Sequence, residues 1–175
     1  MNKSRWREQL IRAKNDILKP LFANAVIALR GEQCWQGVVA FDLFAHQTML
    51  MDVPPWRPLV DGAHFQPRPW TEQDDLAATH WLQTVEGIAV SPAVTAQAIE
   101  LVARDRSFHP VQDYLDSLEH DGLFRLDTML PTYFGADQTP YTKLVGRNMM
   151  ISAVARIFDP VAKSIPSRSW RARRG

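Results

Sequence analysis

The chain has 175 residues, 46% of them hydrophobic and 22% charged, which is enough for one packed domain and too apolar for wholesale disorder. Its 20 basic and 19 acidic side chains nearly cancel, but Lys163, Arg168, Arg171, Arg173 and Arg174 all lie near the end and leave 15 bases against 19 acids before them. That acidic body argues against a nucleic-acid-binding surface spread over the whole fold.

One cysteine, Cys34, excludes an internal disulfide and a cysteine-based zinc site. No apolar run reaches membrane-spanning length, and the charged start Met1–Glu8 leads into no apolar run, so it is not a secretory signal. The expected compartment is the cytoplasm.

In chain order, Trp6, Leu10, Ala13 and Ile17 share one face of a helix predicted from Arg5 to Ile17. Pro20 suits the first turn of a second helix, with Leu21, Phe22, Ala25, Val26 and Leu29 as its apolar stripe and Gly31 as its stop. The period then shortens, and Gly37–Leu43 and Gln47–Asp52 are expected as two short strands in a hairpin. Five prolines between Val53 and Trp70 (Pro54, Pro55, Pro58, Pro67, Pro69) demand an extended loop, either functional or pinned on the core by Trp56 and Trp70.

The remainder is predicted helical. Thr71…Asp74 forms a capping box that opens a helix with Leu76, Ala77, Trp81 and Val85 inward. Ser91-Pro92 opens the next, with Val94, Ala98, Leu101 and Val102 at helical spacing. His109-Pro110 starts another, through Val111, Tyr114, Leu115 and Leu118, closed by Asp121-Gly122. A short helix from Arg125 to Phe134 ends at Gly135, and Thr139-Pro140 opens the last. That last helix has Tyr141, Leu144, Val145 and Met149 on one side and Met150, Val154 and Ile157 on another, a pattern expected at the centre of a core. The fold class is therefore mainly α (α+β), helical with a small β-hairpin and a long Pro-rich loop.

Candidate chemistry is sparse. His46, His64, His80, His109 and His120 have no metal-ligand spacing, and His80, near the inward face beside Trp81, reads as a structural histidine. Asp113, Asp116 and Glu119 lie opposite the Tyr114/Leu118 stripe, with Asp121 beyond them, and read as a solvated face. No nucleophile elbow, catalytic Cys/His pattern or G-x-G-x-x-G occurs, so no catalytic, cofactor-binding or metal residue is expected. Arg104, Arg106, Arg125, Lys143 and Arg147, with Arg156, are the cations that could meet a nucleic-acid phosphate. Ion pairing with the surrounding acids is the favoured alternative.

The ordered series is more specific than any of these sites. Phe108-His109-Pro110-Val111-Gln112-Asp113-Tyr114-Leu115-Asp116-Ser117-Leu118 is followed by Asp121-Gly122, Arg125-Leu126-Asp127, Leu130 and Tyr133-Phe134-Gly135. Thr139-Pro140-Tyr141, Gly146-Arg147 and Ala153-Val154-Ala155-Arg156 with Pro160 complete it. With Pro54-Pro55-Trp56 and Trp70-Thr71 upstream, this series resembles the virulence-associated E family over most of Trp6–Lys163. His120 departs from the pattern, which usually has Trp before Asp-Gly.

The family comprises phage, plasmid and island-borne replication ATPases, primase- or helicase-like. The resemblance implies that residues 1–160 are an accessory region preceding a G-x-x-x-x-G-K-[ST] loop that would hold ATP and Mg²⁺. No such loop occurs in the sequence, so no ATP or Mg²⁺ site is expected in this chain. Ser169-Trp170-Arg171-Ala172-Arg173-Arg174-Gly175 matches an out-of-frame translation of the family's usual Val-Leu-Glu-Gly-Pro-Gln-Gly. Residues 161–175 are accordingly expected to be a basic, disordered frameshift product. The chain then reads as a truncated fragment without its own activity, its last helix leaving Met149, Met150, Ile157 and Phe158 partly exposed. Alternatively it is a retained accessory module that binds DNA or a replication protein.

Overall fold

The described residues open in a turn at Arg5–Trp6 and not in the expected helix. In the computed structural model, which describes residues 5–57 and 64–159, only Arg7–Gln9 form a single 3-10 turn. The backbone then reverses through Asp16, at φ 64°, so that Arg12 and Leu18 bridge antiparallel. The cause lies 13 residues downstream: the Asn24 amide takes both backbone groups of Ile11, which a helix would have needed for itself. Leu10 still reaches the core, while Ile17 is exposed.

The chain divides into two compact units, Met1–Pro110 and Val111–Gly175. In the first, α1 (Phe22–Gly31) buries Asn24, Ala25, Val26, Ala28 and Leu29. Leu21 and Phe22 of its expected stripe stay exposed. Gly31 closes the helix beneath Trp6, whose side-chain atoms would lie 2.3–2.7 Å from any Cβ added there.

The hairpin forms as expected, β1 (Val39–Asp42) pairing antiparallel with β2 (Gln47–Leu50), Val39 opposite Leu50. Asp42 shapes its turn by accepting the Phe44 and Ala45 N–H groups at 2.8 and 2.9 Å. Two strands were not foreseen: β3 (Arg68–Pro69) pairs with β2, and β4 (Ser107–Phe108) runs parallel to β1. The sheet order is β3-β2-β1-β4. Pro69 sits on an edge strand, where its missing donor is tolerated. The described part of the Pro-rich loop turns at Pro54–Arg57, where the Arg57 N–H donates to the Pro54 carbonyl at 3.0 Å, and residues 58–63 lie outside the described residues. Trp35 gathers Trp56, Trp70 and Trp81 around it at centroid distances of 5.7, 6.5 and 5.6 Å, so the loop is pinned to the core by its two tryptophans.

Helix α2 (Glu72–Thr84) starts at Thr71 with its capping box, and α3 (Pro92–Arg104) starts at Ser91, whose hydroxyl accepts from the Val94 N–H. The face of α2 is rotated from expectation. Asp74, Ala78, Thr79, Trp81 and Leu82 are buried, whereas Leu76, Val85 and His80 are exposed. Polar groups can point inward because each has a partner: Arg68 for Asp74, and the Thr95 hydroxyl for Thr79 at 2.8 Å. In α3 the buried residues are Thr95, Ala98, Ile99 and Ala103, while Leu101 of the expected row is exposed. Helix α3 packs on α1, α2 and β1.

The second unit holds α4 (Pro110–Asp116), α5 (Met129–Phe134) and α6 (Pro140–Phe158). Helix α4 stops short of Leu118, with the Ser117 hydroxyl bonded to the Tyr114 carbonyl, and α5 is shorter than the predicted Arg125–Phe134. Gly135 ends α5 in the left-handed region, at φ 65°. Thr139 caps α6, its hydroxyl accepting the Thr142 N–H at 3.1 Å. The central place expected for α6 is not what the structure shows, because only Gly146 of this helix is buried. Its neighbours explain this: helices of seven and six residues cannot cover one of 19. Met149, Met150 and Phe158 are exposed and Ile157 is half-buried. The predicted 161–175 tail lies outside the described residues. The architecture is mainly α with a small sheet, and no described helix is long and apolar enough to cross a membrane.

Candidate functional site

The five candidate phosphate contacts fall into two groups, one in each unit. At the end of α3, Arg104 donates through Nε and Nη2 to Glu100 at 3.1 and 2.6 Å, and its guanidinium lies 3.9 Å over the Phe41 ring. Arg106 donates to the neutral Gln36 Oε1 at 3.2 Å. It borders a depression of about 110 Å³ beside Arg30 and Asp105, which pair through two bonds of 2.7 and 2.9 Å.

The second group is tighter. Arg125 holds Asp121 at 2.6 Å, one helical turn away in sequence, and Lys143 and Arg147 of α6 share the single carboxylate of Asp127. The hydrogen bond from Arg125, helped by the Leu123 N–H, pulls the Asp121 carboxyl down to about 2. The Lys143 ammonium, with Arg147 opposing the smaller effect of burial, holds Asp127 below the usual carboxylate range. Arg125, Asp127 and Arg147 border a cleft of about 340 Å³ together with His120 and Phe124. The Phe124 ring is 86% exposed and meets His120 edge-on at 6.3 Å. Four of the five cations are thus ion-paired, as the acidic composition suggested.

Asp113, Asp116 and Glu119 are exposed, and no group of three or more potential metal ligands occurs among the described residues. His46 packs edge to ring against Phe41 and His109 lies tilted against Phe44, and the His120 Nδ1 accepts the Gly122 N–H.

A further polar cluster was not visible in the sequence. Arg7 Nη2 bridges Glu32 at 3.0 Å and the buried Glu86 at 2.9 Å. Burial pushes the Glu86 carboxyl up, Arg7 opposes the rise and Glu32 adds to it. Burial and then the Glu32 charge raise the nearby Cys34 thiol, the reverse of what a nucleophilic thiolate needs. Partners 79 residues apart, as Arg7 and Glu86 are, leave no local pattern to read. This cluster clamps the N-terminal segment to the rest of its unit.

Geometry and chemistry together define an α+β polypeptide with a sheet-bearing unit, a helical unit, and charged clusters built as ion pairs. Residues 115–164, a stretch that contains α5 and α6, match the model of the virulence-associated protein E-like domain. No curated protein matches the chain.

Proposed function

We propose that the chain is an accessory fragment of a phage- or plasmid-type replication ATPase of the virulence-associated E kind, acting in the cytoplasm and turning over no ATP of its own. The observation that carries this is the family match over residues 115–164. The chemistry of the residues agrees. Gripping a triphosphate takes a glycine-lined turn, a lysine and a hydroxyl on Mg²⁺, and the 175 residues hold no G-x-x-x-x-G-K-[ST]. Purified protein incubated with Mg²⁺-ATP is expected to release no phosphate above the buffer rate, and calorimetry is expected to register no ATP binding. Mg²⁺-dependent turnover overturns the proposal.

A second reading, a module that binds DNA in a replication complex, is favoured by one feature: an exposed Phe124 ring flanked by Arg125 and Arg147 at one cleft. Rings and guanidinium groups in alternation are what stacks single-stranded bases. Under this reading a labelled single strand shifts in a gel, the shift weakens with salt and persists after deletion of Lys163–Gly175, and Phe124→Ala reduces it severalfold. A shift that vanishes with the deletion assigns binding to the basic end and removes the cleft from consideration.

A further inference from the structure

Helix α6 carries an apolar row that its own unit leaves open. Tyr141, Leu144, Asn148, Ile151, Ala155 and Phe158 follow one another at alternating intervals of three and four residues, the a/d repeat of a coiled coil. The four large members are 75, 57, 45 and 47% exposed in that order. Gly146, the buried residue that meets Leu130 of α5, lies on the opposite side of the helix from the middle of this row.

We propose that α6 pairs through this row, parallel and in register, with α6 of a second copy of the chain. Asn148 argues for a copy over an unrelated partner. An amide in the middle of an apolar seam loses its water, and opposite a hydrocarbon side chain it stays unpaired. Opposite itself it is satisfied, and a single Asn at such a position is the recurrent device that fixes two strands in register at a cost in stability. Antiparallel self-pairing that keeps the row aligned sets Asn148 against Ile151 and forfeits that bond. The charges permit the parallel arrangement: Val145 and Ser152 flank one side of the row and Arg147 and Val154 the other, so no two like charges face each other across it.

The size of the row sets the strength. Its exposed surface is roughly 600 Å² per chain, about 1,200 Å² for the pair, at the lower limit for a specific interface. Fewer than three heptads also make a weak coiled coil. The dimer is therefore concentration-dependent and independent of any nucleotide chemistry.

Sedimentation equilibrium of the full chain, from about 5 to about 300 µM to bracket so weak an affinity, is expected to carry the mass from 20.0 kDa toward twice that value. Ile151→Lys, at an exposed position, is expected to keep the helical circular dichroism and to remain monomeric throughout. Asn148→Val is expected to tighten the dimer at least tenfold. In a Cys34→Ser background, Asn148→Cys is expected to give a disulfide-linked dimer on mild oxidation. A chain that stays monomeric at the highest concentration, so that the row awaits a different protein, overturns the proposal. So does a dimer indifferent to Ile151→Lys, or one that Asn148→Cys does not cross-link.

Discussion

Asn24→Ala lowers the stability of the first unit by about 3 kcal/mol, counting roughly 1 kcal/mol for each of three lost hydrogen bonds, and releases residues 11–19 from protection against hydrogen exchange. Asn24 is fully buried, and its amide serves only backbone. Oδ1 accepts the Ile11 N–H at 2.8 Å, and Nδ2 donates to the Ile11 carbonyl at 2.8 Å and the Lys19 carbonyl at 2.9 Å. Alanine leaves the buried-side Ile11 N–H without a partner and strips one of two donors from each of the Ile11 and Lys19 carbonyls, which keep the Lys19 and Leu21 N–H groups.

The chemistry of the amide, not its size, does this. Asn24→Asp keeps the volume but offers no donor to two carbonyls, and it is expected to cost at least as much as alanine. Urea unfolding gives the energy, and exchange of the Ile11 and Ala13 amides gives the location. A loss below about 1 kcal/mol, the worth of a single bond, contradicts the role assigned to the amide.

The same residue shows where sequence reading stops. Trp6, Leu10, Ala13 and Ile17 have helical spacing, yet the competitor for the Ile11 backbone sits 13 residues away, beyond any local pattern. Elements whose determinants are local were legible. Thr71 with Asp74, Ser91-Pro92 and Thr139-Pro140 place three helix starts, because a cap is chemistry within four residues. The hairpin between β1 and β2 belongs with them. β4 was not legible, since its partner Phe41 is separated from Ser107 by the whole of α2 and α3.

The charged clusters divide along the same line. Arg125 and Asp121 are one helical turn apart in sequence and could be paired on spacing. Two cations on Asp127, and Arg7 on Glu86, required the fold. In the second unit the apolar positions of α6 were read correctly as apolar but wrongly as interior. Periodicity reports which face is hydrophobic, and whether another element exists to cover it is a separate matter.

Asp74→Ala is the second substitution with a large expected effect, about 2–4 kcal/mol from the lost cap and the broken buried ion pair, discounted because the Arg68 side chain is 40% exposed. The buried carboxylate of Asp74 joins two elements of its unit. It receives both terminal nitrogens of Arg68 from β3 at 2.7 Å, the Thr71 hydroxyl at 2.7 Å and the Thr71 N–H at 2.9 Å. One side chain thus starts α2 and ties the sheet edge to it.

Its protonation supplies an independent check. Burial pushes the Asp74 carboxyl up, but the hydrogen bonds from Arg68 and Thr71 outweigh burial and bring it below its ordinary 3.8. A carboxyl lowered by folding contributes stability that is present above the unfolded-state value and is lost as pH falls toward the folded one. Asp75 behaves oppositely: burial raises it, the 2.9 Å bond from Trp70 Nε1 opposes the rise, and the Asp74 and Glu72 charges add to it. Protonation of Asp75 therefore comes first on acidification and favours the folded state, and the loss from Asp74 follows below the ordinary carboxylate range.

Asp74→Asn retains an acceptor for the helix start and discards the charge, so it is expected to cost about half as much as alanine near pH 7. The gap between wild type and Asp74→Asn in urea midpoints is expected to hold constant above about pH 5 and to close as pH drops below the ordinary carboxylate value. A gap that persists unchanged into strong acid shows that the pairing with Arg68 carries none of the stability.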